Sequence, residues 1–260
     1  MHPPTRRLFD RATLIAAVAS VGSTARAHER DFAFSRDWHL PYKGEFEVES
    51  RTFWKDRHND LLQQFEAEYG IADHFAIEPG LALKRENADE FKVESADLEL
   101  RFNFREFGYG KLLPGFNLEY ERRIEDENGA GGANAEEEPK NDVELKSLVS
   151  WYSEAGDDLT LNLNLGRGFG GEGESEWETE LTAGWVRPFD LFGGTPGGKH
   201  EFKAGVELVR QMIQEHGLGV GPVITWRATE HLHLVATALI ALRERDENSD
   251  EFRLILEWEF

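Results

Sequence analysis

The last eleven residues constrain this chain most. Phe252, Leu254, Leu256, Trp258 and Phe260 alternate with Arg253, Ile255, Glu257 and Glu259. A period of two is the period of a β-strand, so one face is apolar and the other mostly charged. The sequence stops on Phe260, with no polar tail to blunt the edge. In water such an edge would template aggregation. It becomes stable where its apolar face meets hydrocarbon and its edge pairs with the first strand of a closed sheet, because closure satisfies every backbone group internally.

The same alternation recurs upstream, in residues 44–54, 61–69, 74–84, 91–104, 115–123, 143–152, 159–168, 177–186, 202–212, 218–227 and 232–242. With the terminal strand this predicts an all-β, closed antiparallel transmembrane β-barrel of about twelve strands, with ten or fourteen as alternatives. A soluble sandwich produces a similar alternation. The placement of charge separates the two. A Lys or Arg on the lipid face at mid-membrane costs about 2–4 kcal/mol. On the expected outward faces, charges fall only towards strand ends, at Lys92, Glu94, Arg122, Arg167, Arg210 and Asp250. Aromatic residues also gather at strand ends: Trp54 and Trp177 at one rim, Tyr69, Phe75, Phe116, Trp151, Trp226 and Phe260 at the other. That is the placement of interfacial girdles. Pro79 and Pro222 resist the barrel, since each removes a ladder donor, and bulges are expected at both. Residues 107–114 and 188–198 are long for turns on the short-turn side.

Composition narrows the function. Cysteine is absent, which excludes disulfides and thiolate metal sites. A formal charge of −21 argues against nucleic acid as a partner. Residues 1–27 read as a cleaved signal peptide: Arg6, Arg7 and Arg11, then the apolar stretch 12–22, then a small-x-small site at residues 25–27. Residues 28–43, with Pro41 and no alternation, read as an N-terminal leader: disordered, periplasmic or lumenal. The barrel is expected over residues 44–260.

The expected lumen is densely charged. The residues assigned to it are Glu47, Glu66, Glu68, Glu99, Arg101, Glu119, Glu121, Glu144, Lys146, Glu178, Glu180, Lys203, Arg253 and Glu257. Roughly eight strands leave room only for side chains, and about sixteen leave a water channel. Twelve is intermediate. An acidic excess in a narrow pore favours cations and neutral polar solutes over anions.

The aromatic C-terminal strand resembles that of bacterial outer-membrane β-barrel proteins. The turn from Tyr69 to Phe75 (YGIADHF) is similar to turns in poorly characterised porin-like families, including one named for a phenol-degradation pathway. The resemblance implies an outer-membrane location, lipid as surroundings, and a barrel-assembly machinery that reads Trp258 and Phe260 as its signal. It implies a monomer without cofactor. Twelve-stranded sugar-acid porins have basic lumens, opposite in sign to this one. The expected role is passage of small polar or cationic solutes. The alternative is a non-conducting barrel that acts through acidic external loops at residues 125–141 and 243–249.

Two pairs of polar residues at the outer rim have the composition of catalytic pairs. Ser175 with His216, or Asp246 with His216, lie in neighbouring tips, but neither pair sits in a nucleophile or protease motif, so no enzyme is expected. His231 and His233 share one strand face, near the level of His74. No third ligand follows at metal-site spacing, so they read as turn and lumen residues and no metal is expected.

Overall fold

A computed structural model of the chain describes residues 31–55, 60–85, 90–124, 140–170, 177–190, 200–212, 217–243 and 251–260. The expected signal peptide, residues 125–139 and 244–249 of the acidic loops, Ser175, His216, Asp246 and residues 191–199 lie outside the described residues.

The described chain forms twelve strands: β1 (Phe46–Lys55), β2 (Asp60–Ala72), β3 (Phe75–Arg85), β4 (Lys92–Asn103), β5 (Leu112–Arg123), β6 (Asn141–Tyr152), β7 (Asp158–Phe169), β8 (Trp177–Phe189), β9 (Phe202–Gln211), β10 (Leu218–Arg227), β11 (Leu232–Arg243) and β12 (Glu251–Glu259). Each pairs antiparallel with its neighbour in sequence, and β12 closes the ring on β1. This is the closed barrel expected from the alternation. At the seam Val48 stands opposite Trp258, and the Phe260 N–H donates to the Phe46 carbonyl at 3.0 Å. The terminal aromatic thus extends the ladder by one bond beyond the last strand.

The alternation sorts side chains between an apolar outer wall and a polar lumen. Leu98, Leu118, Leu161, Ile224, Leu256 and Trp258 are exposed on the outer wall, while Glu99, Asn117, Thr160, Thr225 and Glu257 are buried inside. Near the end where β1 begins and β12 stops, the rings of Phe75, Phe102 and Phe116 stack across β3, β4 and β5 at 4.6 and 4.7 Å. Such aromatic pairs add about 0.5–1.5 kcal/mol each beyond the area they bury.

Three expectations need correction, and two trace to proline. No bulge forms at Pro79 or Pro222. Gly80 stands opposite Glu66 and Ile77 opposite Tyr69, in one unbroken register. Val220 stands opposite Ile240 and Val223 opposite Thr237, again without a shift. The register shifts lie instead at Gly70/Ala72, Ala82/Leu83 and Leu218/Gly219. At Pro222 the Thr237 hydroxyl donates to the proline carbonyl at 2.8 Å, so a side chain knits the gap. Second, Pro114 and Pro188 are not turn residues. They lie inside β5 and β8, near strand ends where one missing donor is tolerated. The turn after β4 therefore shifts to residues 104–111 and stays long. Third, Glu94 does not face outward. The shift at Ala82/Leu83 turns it towards the lumen, 3.8 Å from Lys84.

Candidate functional site

The lumen is not empty. Residues 31–42, which are all but the last described residue of the leader, fold back into it as a loop. Asp31, Phe32, Ala33, Ser35, Arg36, Asp37, Trp38 and Leu40 are all buried. Of the three readings open for this stretch, the structure takes the lumenal one. A twelve-stranded ring is too wide for wall side chains alone to fill, and a single extended segment occupies the remaining width.

Polar contacts hold this plug at its middle. The guanidinium of Arg36 pairs with Glu78, with Glu66 at 3.3 Å and with Glu99 at 3.5 Å. Its carbonyl accepts from Thr160 at 3.0 Å and Asn162 at 2.9 Å, on the opposite wall. Burial alone would lower the basicity of Arg36, but the surrounding carboxylates raise it well above the ordinary value. Arg51, Arg101 and Lys146 extend the network. Arg51 pairs with Glu49 and Glu66, Arg101 with Glu68, and Lys146 with Glu119 and, at 2.8 Å, Glu99. Carboxylates on β1–β6 outnumber wall cations here, and Arg36 supplies one of the missing positive charges.

The apex is held by one carboxylate. The N–H groups of Phe34 and Ser35 donate to Glu207 Oε1 at 2.9 and 3.1 Å, and that of Ala33 to Oε2 at 3.1 Å. Three successive amides converging on an anion form a nest. Above it, Arg253 lies over the Phe34 ring at 3.5 Å and the Phe53 ring at 4.6 Å. At the base, Lys203 bridges Asp31 at 2.9 Å and Asp158 at 2.6 Å. Burial opposes ionisation of Asp31, yet Lys203 and neighbouring hydrogen bonds hold its carboxyl below the usual range.

Two apolar patches complete the fit. Phe32 and Ala33 pack on Val186, Val223, Val235 and Ile255, which face inward from β8, β10, β11 and β12. Trp38 packs with Leu113, Leu148 and Tyr152. The turn at residues 104–111 clasps this base. Phe107 stacks on His39 at 5.7 Å and meets Tyr152 at 5.4 Å. That contact explains why the turn is long. Phe32 also requires Gly184, since a Cβ there would stand 2.3 Å from its ring. Gly184→Val is accordingly expected to expel Phe32. Ala33→Cys, the only thiol in the chain, should be protected from a polar thiol reagent in the parent barrel. In the Gly184→Val background it should label at least tenfold faster. Equal labelling in both would show that Phe32 does not seat the plug.

The plug leaves a cavity on each side. The far-end cavity measures about 810 Å³ and the terminal-end cavity about 820 Å³, and they share no lining residue. Nine carboxylates and six Lys or Arg side chains line the first. Six carboxylates and two such cations line the second.

The sequence-assigned lumen residues distribute among these regions. Glu119, Glu121, Glu144, Lys146, Glu180 and Arg253 line the far-end cavity, with Glu66 at its floor. Glu178 lines a smaller recess beside it. Glu68, Glu99 and Arg101 lie buried in the network around Arg36. Lys203 faces the terminal-end cavity, and Glu47 and Glu257 are buried at the β1–β12 seam. Sequence reasoning missed Arg36, Phe32, the inward Val186, Val223 and Val235, and the role of the inward Glu207 as an anchor for the plug. A signal existed: apolar residues on the inner faces of strands whose other inner residues are polar.

No protein-family profile and no curated protein matches the sequence. Solved structures do. The KdgM porin superposes with a TM-score of 0.55 at 8% identity, over 82% of this chain and 99% of that one. An outer membrane channel from Pseudomonas putida F1 gives 0.55 at 12% identity, over 85% and 97%. The fold is that of the outer-membrane β-barrels. The NanC porin adds a TM-score of 0.51 at 8% identity, over 82% of this chain and 100% of that one. At such identities the chain shares architecture with these proteins, and its lumen chemistry has to be read from its own residues.

Proposed function

We propose that the chain is a porin-like passage of the bacterial outer membrane for small polar solutes, cations before anions, throttled by its own N-terminal segment. The observation that carries this reading is the pair of polar cavities, about 810 and 820 Å³, separated by residues 31–42. Both have an excess of carboxylate over ammonium and guanidinium. In a low-dielectric tube that excess raises the local concentration of cations and repels anions. With an even strand number the terminal end faces the periplasm, so the plug enters from that side. The barrel's surroundings are then outer-membrane lipid, it is built as a monomer, and Trp258 and Phe260 are the residues the assembly machinery reads.

A second reading, a non-conducting barrel, is favoured by the density of contacts that hold the plug. Planar-bilayer recording separates the two. The intact barrel is expected to give small, cation-selective steps, and a variant lacking residues 31–42 steps several-fold larger with the same preference. Silence from both proteins, or a preference for chloride, would sink the passage.

A further inference from the structure

The seam where the last strand meets the first carries a cluster of buried carboxylates beside the base of the plug. Glu259 of β12 stands opposite Glu47 of β1, and Glu257 of β12 stands opposite His233 of β11. All four side chains point inward and are buried. Carboxylate oxygens of Glu47, Glu257 and Glu259 lie within 4.8 Å of one another. Three carboxylates this close repel one another when ionised, and burial removes the water that would screen them.

Acidic residues alone do not make a site, but His233 supplies an independent sign. Its ring is 3% exposed, and Nδ1 stands 3.6 Å from Glu257 Oε2. Neither ring nitrogen has a hydrogen-bond partner. A buried imidazole donates from one nitrogen and offers a lone pair at the other; with Nδ1 turned towards Glu257 and no hydrogen bond made, that lone pair can serve a cation shared with the carboxylates. The protein offers two cations nearby, and neither meets the ring. Arg101 is in electrostatic reach of Glu47 but is paired with Glu68, and Arg227 is in reach of Glu257 and Glu259.

We propose that Glu47, Glu257, Glu259 and His233 form a divalent-cation site that staples the last strand to the first. Ligands on opposite sides of such an ion, each about 2.0–2.6 Å from it, stand about 4–5 Å apart, which matches the spread of these oxygens. The imidazole directs the preference. Oxygen donors alone suit Ca²⁺, whereas a nitrogen among carboxylates favours Zn²⁺. Spacing along the sequence gives no hint of this set, because its four members come from three strands that only barrel closure brings together.

The test uses the folded, full-length barrel in detergent, stripped with a chelator and titrated with Zn²⁺ or Ca²⁺ alone. One Zn²⁺ per chain is expected to bind saturably, with at least tenfold higher affinity than Ca²⁺. Binding should raise the temperature at which the barrel loses its heat-resistant mobility on a gel. Glu259→Gln and His233→Gln should each weaken Zn²⁺ at least tenfold, and both should leave the metal-free barrel folded by circular dichroism. Absence of saturable binding to the parent protein would overturn the site, as would a Zn²⁺ affinity that neither substitution moves. Binding that survives both substitutions would place the ion at the carboxylates lining the cavities instead.

Discussion

Arg36→Ala is expected to free the plug. In the wild-type lumen this guanidinium touches Glu66, Glu78 and Glu99, all buried. Removing one partner of a buried ionic cluster costs roughly 3–5 kcal/mol, because the remaining charges keep their desolvation penalty and lose their compensation. Here the barrel wall has a way out that the interior of a soluble protein lacks. Once the segment withdraws, water fills the lumen and solvates the carboxylates. The cost therefore falls on docking rather than on the barrel. It corresponds to a shift of about two to four powers of ten in the docking equilibrium. Ala33→Cys should become labelled in the Arg36→Ala background, single-channel conductance should rise several-fold, and selectivity for cations should increase as one positive charge leaves. Arg36→Lys is a finer probe. A point charge lacks the planar fork that reaches several carboxylates, so its effect should lie between the two. Undiminished protection of Ala33→Cys in Arg36→Ala would show that the guanidinium is incidental to docking.

How far the sequence reveals this arrangement depends on what each residue answers to. The wall answers to a local rule. Side chains alternate between an apolar outer face and a polar inner one, so Leu98 against Glu99, or Trp258 against Glu257, can be read one pair at a time. Closure is legible for the same reason, since an apolar terminal strand needs a partner for its edge. Proline misleads because the penalty it signals is local and small against a continuous ladder. Pro114 and Pro188 sit within β5 and β8, and no bulge forms at Pro79 or Pro222. The plug is different. Residues 31–42 have no period, and their partners are scattered from Glu66 to Arg253. Nothing along the segment announces them. The readable trace lies on the wall, where Val186, Val223, Val235 and Ile255 put an apolar patch into a lumen that water would otherwise fill. Exposed to water, that patch would be a cost without a purpose. Covered by Phe32, it contributes about 1.5–3 kcal/mol for the ring alone. An inward valine in a charged lumen is thus a pointer to something else inside.

The second large effect is expected at Glu207, and the atoms fix its order. Oε1 accepts from Phe34 and Ser35, and Oε2 accepts from Ala33. The carboxylate is fully buried, so water does not replace it while the plug stays seated. Glu207→Ala leaves three amide N–H groups without an acceptor, at about 1–3 kcal/mol each. Glu207→Gln keeps one oxygen, which still serves Phe34 and Ser35, but its amide nitrogen then faces the Ala33 N–H, donor against donor. Docking should therefore weaken in the order wild type, Gln, Ala, with labelling of Ala33→Cys rising in the same order. Neither change touches the inter-strand ladder, so heat-resistant mobility of the barrel should stay near that of the parent. Asp at this position tests reach rather than charge: it keeps the anion but withdraws it by one methylene from an apex held at 2.9 to 3.1 Å. If Glu207→Asp behaves like Ala, position governs the nest. If Glu207→Ala labels no faster than wild type, the three amides are not what anchors the apex, and docking would rest on Arg36 and the Phe32 patch alone.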